Sequence, residues 1–217
     1  MGMRKRDKLY AALTGDIVSS RKVADRAALQ AKLRRLLTRL NKAHSEITAV
    51  PLTISGGDEF QGLLRIDVQI LALIGELERG LQPVRVRFGI GIGAISTAFA
   101  RRAQEMDGEA FAFSRAALEQ ARQAGSPLWF QTTDATFDLA ANAISVLVGT
   151  VKERWKAVQW RRVDLQRRGW TQERIAKHEG VSQATVSESM QRAGCGAVCK
   201  AERNLAALLT RTWDIGP

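Results

Sequence analysis

Three acids in the first sixty residues stand where they could hold a cation. Asp16 closes an apolar run in Gly15-Asp16-Ile17-Val18-Ser19-Ser20-Arg21, and Asp58 and Glu59 follow the pair Gly56-Gly57. Carboxylates gathered in one place repel each other unless a proton or a cation bridges them. Hard oxygen donors suit Mg²⁺ or Mn²⁺, which in turn binds substrate phosphates. The paired glycines leave room for a ligand to come against the backbone. The plain alternative is a Gly-Gly-Asp turn beside an unrelated strand end.

A second set lies in residues 170–194. Thr171 can cap a short helix carrying Ile175 and Ala176, and Gly180 supplies a tight turn. Ser182 can cap a second helix, Gln183 to Arg192, with Val186 and Met190 facing inward. Val181 is expected to pack inward as well. Small Ala176, Gly180 and Val186 stand at the spacing of a helix-turn-helix, and the string resembles that motif in bacterial regulators. On that reading Gln183, Ala184 and Ser187 reach base edges in the major groove of double-stranded DNA. Ser182, Thr185 and Arg192, with Arg167, Arg168 and Arg174, would meet phosphates. A protein-interaction element of the same shape is the alternative.

These residues need elements to position them. Leu9 to Val18 reads as a buried strand. Asp25 to Ala43 reads as a helix, with Leu29, Leu33, Leu36, Leu37 and Leu40 at helical spacing. Ala49 to Ser55 and Phe60 to Leu64 read as a hairpin around Gly56–Glu59. A helix over Asp67 to Gly80 and a strand over Val84 to Ile95, bearing Gly89, Gly91 and Gly93, complete a βαββαβ order. Helix Glu109 to Ala124 and strand Leu128 to Gln131 follow. The fold class expected is α+β, a ferredoxin-like βαββαβ unit followed by an all-α helix-turn-helix part. Residues 1–135 form the first part. Residues 136–217 hold a helical connector and the DNA-binding unit, and the change in character comes near residue 150. Ala140 to Leu165 has few breakers and predicts one long connecting helix. Trp155, Trp160, Trp170 and Trp213 are expected to form core around the helix-turn-helix. A last helix, Lys200 to Trp213, would finish that core or meet a second subunit.

Ser55-Gly56-Gly57-Asp58-Glu59-Phe60 contains the GGDEF signature, and its surroundings resemble diguanylate cyclases. Gly15-Asp16-Ile17-Val18 is similar to the opening of class III adenylate and guanylate cyclases. The segments Arg87 to Gly93 and Ala116 to Gly125 resemble the later glycine-bearing strand and the last helix of the GGDEF domain. The whole arrangement, with Gly57 to Leu64 and Met106-Asp107-Gly108, most resembles the SatD-type family. The cyclase resemblance covers roughly residues 8–131 and implies a nucleotidyl-cyclase palm that binds a nucleoside triphosphate with Mg²⁺ or Mn²⁺. It implies Asp16, Asp58 and Glu59 as metal ligands and as the catalytic set, with Ile17 adding its carbonyl. It makes Arg21, Lys22 and Arg115 candidates for phosphate contact, and Asn41 is a candidate for reading the base. Val18 stands where diguanylate cyclases place a second acid. Phe111 and Ala112 stand near the place of a class III asparagine.

The net charge of +11 suggests a polyanionic partner. Residues 152–217 carry 13 Lys and Arg against 7 Asp and Glu, a denser excess than the rest of the chain. No run of 18 apolar residues appears, and the basic start lacks a convincing cleavage site. A cytoplasmic protein without a membrane partner is expected, its Cys195 and Cys199 ordinary thiols. Operators are often two-fold and cyclase products form across two subunits, so a homodimer is expected. Three functions follow. One is a DNA-binding regulator with a nucleotide- and Mg-binding domain. Another is a nucleotidyl cyclase or cyclic oligonucleotide synthase tethered by its helix-turn-helix. The third is an interaction protein with a degenerate cyclase fold.

Overall fold

The computed structural model describes residues 8–20 and 23–215. Arg21 and Lys22, expected at the phosphates, lie outside the described residues. Strands β1 (Tyr10–Ile17), β2 (Thr48–Gly56), β3 (Glu59–Leu64), β4 (Val86–Gly93) and β5 (Leu128–Gln131) form one sheet in the order β2-β3-β1-β4-β5. All neighbours are antiparallel except β4 and β5. Helices α1 (Arg26–Ala43), α2 (Gln69–Leu81), α3 (Glu109–Gln123) and α4 (Ala135–Lys152) interleave with or follow the strands. Helices α5 (Ala157–Arg167), α6 (Gln172–Glu179), α7 (Gln183–Arg192) and α8 (Cys195–Trp213) complete a mixed α+β structure, with five strands and eight α-helices among the described residues.

Local chemistry explains the main elements. Asp25 accepts from the Ala28 N–H at 2.8 Å and starts α1, whose leucine stripe is buried. The Asp67 carboxylate accepts from Gln69 N–H at the start of α2. Both helices bury their apolar sides with Leu13, Phe60, Phe88 and Ile90. Helix α3 covers the opposite face of the sheet. It can do so because β4 presents glycines there: a Cβ on Gly89 would stand 2.2 Å from the Ser114 carbonyl oxygen, and one on Gly91 2.2 Å from that of Ala110. A second core unites Trp155, Val163, Ile175, Ala176, Val186, Met190, Cys195 and Val198.

Four expectations are corrected. The long helix over Ala140 to Leu165 is two, α4 and α5. Between them Lys156 turns extended at φ −81° and ψ 168°, and its N–H is capped by the Gln159 side chain at 3.0 Å. The break lets Trp155 turn into the second core, where its indole donates to the Ala193 carbonyl at 2.7 Å. Val181 is 39% exposed rather than packed inward. Helix α8 begins at Cys195, ahead of Lys200, because left-handed Gly194 (φ 64°) opens it there. Trp213 packs against Phe137, ring centroids 4.5 Å apart, and so joins the sheet's core, not the motif's. Among the described residues no helix is long and apolar enough to cross a membrane.

Candidate functional site

Asp16 sits at the end of β1, opposite Arg87 of β4. On its other side β1 pairs Gly15 with Phe60, so one step further Glu59 of β3 lies beside Asp16. Residues opposite one another across antiparallel strands share a face, here the face covered by α3. That helix brings Arg122: its Nη2 donates to Asp16 Oδ2 at 3.1 Å, and Arg87 Nη1 is 3.5 Å from the same oxygen. The hydrogen bond to Asp16 raises the Arg122 pKa above its ordinary value. The other carboxylate oxygen, Oδ1, is buried and has no hydrogen-bond partner among the described residues. A buried chain of hydrogen bonds supports this face. Gln61 Nε2 donates to Thr14 at 3.1 Å, and the Thr14 and Ser114 hydroxyls are 3.0 Å apart.

The hairpin closes with Gly56 opposite Glu59, and Gly57 takes a left-handed φ of 57°. Gln30 of α1 holds the turn by donating to the Gly57 carbonyl at 2.8 Å. Asp58 and Glu59 are half-buried, and the Ser55 hydroxyl donates to Glu59 Oε1 at 3.4 Å. The backbone thus places Glu59 next to Asp16 and leaves Asp58 at the turn. Among the described residues no three His, Cys, Asp or Glu side chains converge tightly enough to hold a metal ion.

The other sequence candidates fall in different places. Arg115 is exposed on α3, about two turns before Arg122 and on the same side. Asn41 spends both ends of its amide on β2, donating to the Leu52 carbonyl and accepting from its N–H, each at 2.9 Å. Two residues the motifs did not single out, Arg87 and Arg122, stand at the centre. The available signals were the seven-residue spacing from Arg115 to Arg122 and the position of Arg87 just before the glycine strand.

In the second part, the Thr171 hydroxyl accepts from Arg174 N–H at 3.2 Å and Ser182 Oγ from Thr185 N–H at 3.1 Å. Gly180 (φ 67°) ends α6, and Val181 N–H returns to the Ala176 carbonyl at 3.1 Å. Gln183 Nε2 donates to Gln172 Oε1 at 3.1 Å and links the two helices. Gln183, Ala184 and Thr185 are exposed at the start of α7, and Ser187 is half-exposed. Arg174 lies 4.0 Å over the Trp170 ring. Arg192 pairs with Glu188, and Arg168 with Asp164 at 2.6 Å. Arg167 turns away toward Glu202 of α8. Both cysteines are free, and burial pushes the Cys195 thiol up to about 11, so it stays protonated at neutral pH.

A family profile described as the SatD family matches residues 10–209. No curated protein matches the chain. Two solved structures of a bacterial light-regulated adenylyl cyclase are similar. One is 17% identical with a TM-score of 0.40, covering 56% of this chain and 74% of its own. The other is 16% identical with a TM-score of 0.39, covering 57% of this chain and 42% of its own.

Proposed function

The chain belongs to the SatD family, and we propose that it is a DNA-binding regulator whose N-terminal part binds a nucleoside triphosphate with Mg²⁺ or Mn²⁺. The observation that carries this reading is the capped pair α6 and α7, with its left-handed Gly180 and the polar, exposed start of α7. A helix presented in this way fits the major groove. We read α6–α7 as a helix-turn-helix, with Gln183, Ala184 and Ser187 toward the bases and Ser182, Thr185, Arg168, Arg174 and Arg192 toward phosphates. We read β1 to β4 with α1 and α2 as a ferredoxin-like palm, because the strand order β2-β3-β1-β4 is what a βαββαβ chain gives. Residues 1–135 are then the nucleotide part, and residues 136–217 the connector and DNA part. A homodimer would suit a two-fold operator.

For the metal, the supporting observation is the buried Oδ1 of Asp16, which has no partner among the described residues. Asp16, the Ile17 carbonyl, Asp58 and Glu59 are hard oxygen donors that would hold Mg²⁺ or Mn²⁺ between this chain and a triphosphate. The ion would neutralise phosphate charge. Arg122 and Arg115 line the side from which the phosphates would come, and Gly56 and Gly57 leave the turn open to them. The same orphaned oxygen favours a second reading, a nucleotidyl cyclase acting at Asp16, Asp58 and Glu59.

The test is DNA binding measured against salt. Affinity for genomic fragments should fall steeply as salt rises, since each phosphate contact releases counterions. The double variant Arg174→Ala/Arg192→Ala should lower the slope of log K against log salt by about 2. Absent binding, or binding indifferent to salt, removes the regulator reading.

A further inference from the structure

Between the sheet's part and the C-terminal helices lies a cleft of about 700 Å³, bounded by α2, α4, α5 and α8. Leu71, Ile74, Ile144 and Val148 give it apolar walls. Ion pairs line the rest. Arg79 meets Asp164 at 2.7 Å, and Arg168 meets the same acid at 2.6 Å. Lys152 bridges Glu78 at 2.8 Å and Glu202 at 2.9 Å, and Arg167 also pairs with Glu202. Arg203 and Glu76 also line the cleft, and Arg203 and Arg168 are exposed. The less exposed cations, Arg79, Lys152 and Arg167, at 19%, 10% and 28%, face three carboxylates, Asp164, Glu78 and Glu202. Like charges brought together where water reaches poorly favour an anion between them.

Two of these cations crowd one place. A Cβ built on Gly75 of α2 would stand 3.1 Å from Nη1 of Arg79 and 3.3 Å from Nη1 of Arg167. Two guanidinium groups therefore border one small space over a residue without a side chain. Their acids are met elsewhere, Asp164 by Nε of Arg79 and Glu202 by Nη2 of Arg167. Burial, and then the neighbouring charge of Arg167, hold the Arg79 pKa below its ordinary value. An anion between the two groups would relieve that repulsion, and guanidinium forks match carboxylate geometry.

We propose that this cleft binds a small amphipathic acid, its carboxylate over Gly75 between Arg79 and Arg167 and its apolar body along Leu71, Ile74, Ile144 and Val148. The volume is that of a small-molecule site, mostly apolar with a few converging polar groups. The ligand would touch α2 and α4 on one side and α5 and α8 on the other, so it would tie the two parts together.

Calorimetric titration of the full chain with decanoate, decanol and acetate tests this. Decanoate should bind at one saturable site, at least tenfold tighter than decanol, and acetate should give no measurable heat. Arg167→Met, which keeps the apolar stem, should weaken decanoate at least tenfold. Gly75→Ala, a change that favours the helix, should weaken it at least threefold by crowding the head group. Decanoate binding no tighter than decanol overturns the proposal. So does an unchanged affinity in Gly75→Ala, which stays informative even where Arg167→Met fails to fold.

Discussion

Among the described residues, Asp16 carries two guanidinium groups on one oxygen and none on the other. The two arginines differ in how firmly they are held. Arg87 is 15% exposed on the neighbouring strand, whereas Arg122 is 50% exposed on a helix. An ion pair as open as that of Arg122 stabilises a fold by about 0–1 kcal/mol. If the site binds a triphosphate as proposed, Arg122 can leave Asp16 for a phosphate at little cost, while Arg87 keeps the carboxylate in position. Arg122→Ala should therefore change unfolding free energy by less than about 1 kcal/mol and weaken triphosphate binding about tenfold, a charge-assisted contact being worth roughly that. Asp16→Asn should abolish the Mn²⁺-dependent part of binding. Incubation of labelled ATP and GTP with Mn²⁺ decides what the site does next. A product from wild type that Asp16→Asn does not make establishes a cyclase, and bound but unconverted triphosphate leaves a sensor. Unaltered binding in Asp16→Asn would remove the metal assignment. Asp16 and the Gly56–Glu59 turn were legible in the sequence, because strand ends and glycine turns announce themselves locally. Arg87 and Arg122 were not. Which of 33 basic residues meets a given acid depends on strand register and helix placement, and neither is a local property.

At the scale of elements, the seat of α3 on β4 decides where Arg122 goes. Helix backbone lies on strand backbone with only glycine hydrogens between them at Gly89 and Gly91. The alternation Gly89, Gly91, Gly93 was visible in the sequence, yet nothing in it said that a helix lies so close. A methyl group at Gly91 would meet the Ala110 carbonyl and the Ser114 N–H, each 2.2 Å away. Backbone cannot swing aside as a side-chain end can, so α3 must shift. Gly91→Ala should destabilise by roughly 3 kcal/mol, the upper end of overpacking, as read by chemical denaturation. It should also weaken triphosphate binding, because the shift carries Arg122 away from Asp16. A variant of wild-type stability would mean that α3 rides more loosely than these distances imply. The split of the expected connecting helix teaches the same lesson. Composition between Ala140 and Leu165 favours helix throughout; the Gln159 side chain caps the break at Lys156 locally, but the Ala193 carbonyl that receives the Trp155 indole lies far along the chain. Caps were easier to foresee: Thr171 and Ser182, read as caps from the sequence, each accept from a nearby backbone N–H, a pattern contained in a few residues.

At the scale of the whole molecule, the two parts are joined by shared packing and a shared charge network. Helix α8 gives Cys195 and Val198 to one core and Leu205 and Leu209 to the other. Lys152 lies at the joint. Burial lowers its pKa, but Glu78 and Glu202 overrule that effect and hold it above the ordinary lysine value. Burial raises Glu202, and Lys152 and Arg167 hold it below the ordinary carboxylate range. The signs follow from linkage. Glu202 contributes stability that is present above its unfolded pKa and is lost as pH falls through the folded one. Lys152 contributes stability that is present below its unfolded pKa and is lost as pH rises through the folded one. The network therefore acts over the whole range between those limits, neutral pH included. Lys152→Met keeps most of the stem but takes the cation from buried Glu78 and leaves Glu202 with Arg167 alone. Removing one partner of a buried pair costs about 3–5 kcal/mol, and that loss should appear in denaturation midpoints at neutral pH. Near about pH 4, where ordinary carboxylates begin to take up protons, Glu202 in the variant, relieved of one of the two cations that hold it low, neutralises itself sooner than in wild type. The gap between variant and wild type should then narrow. A gap of equal size at both pH values would mean that the packing of the lysine stem, not its charge, holds the joint.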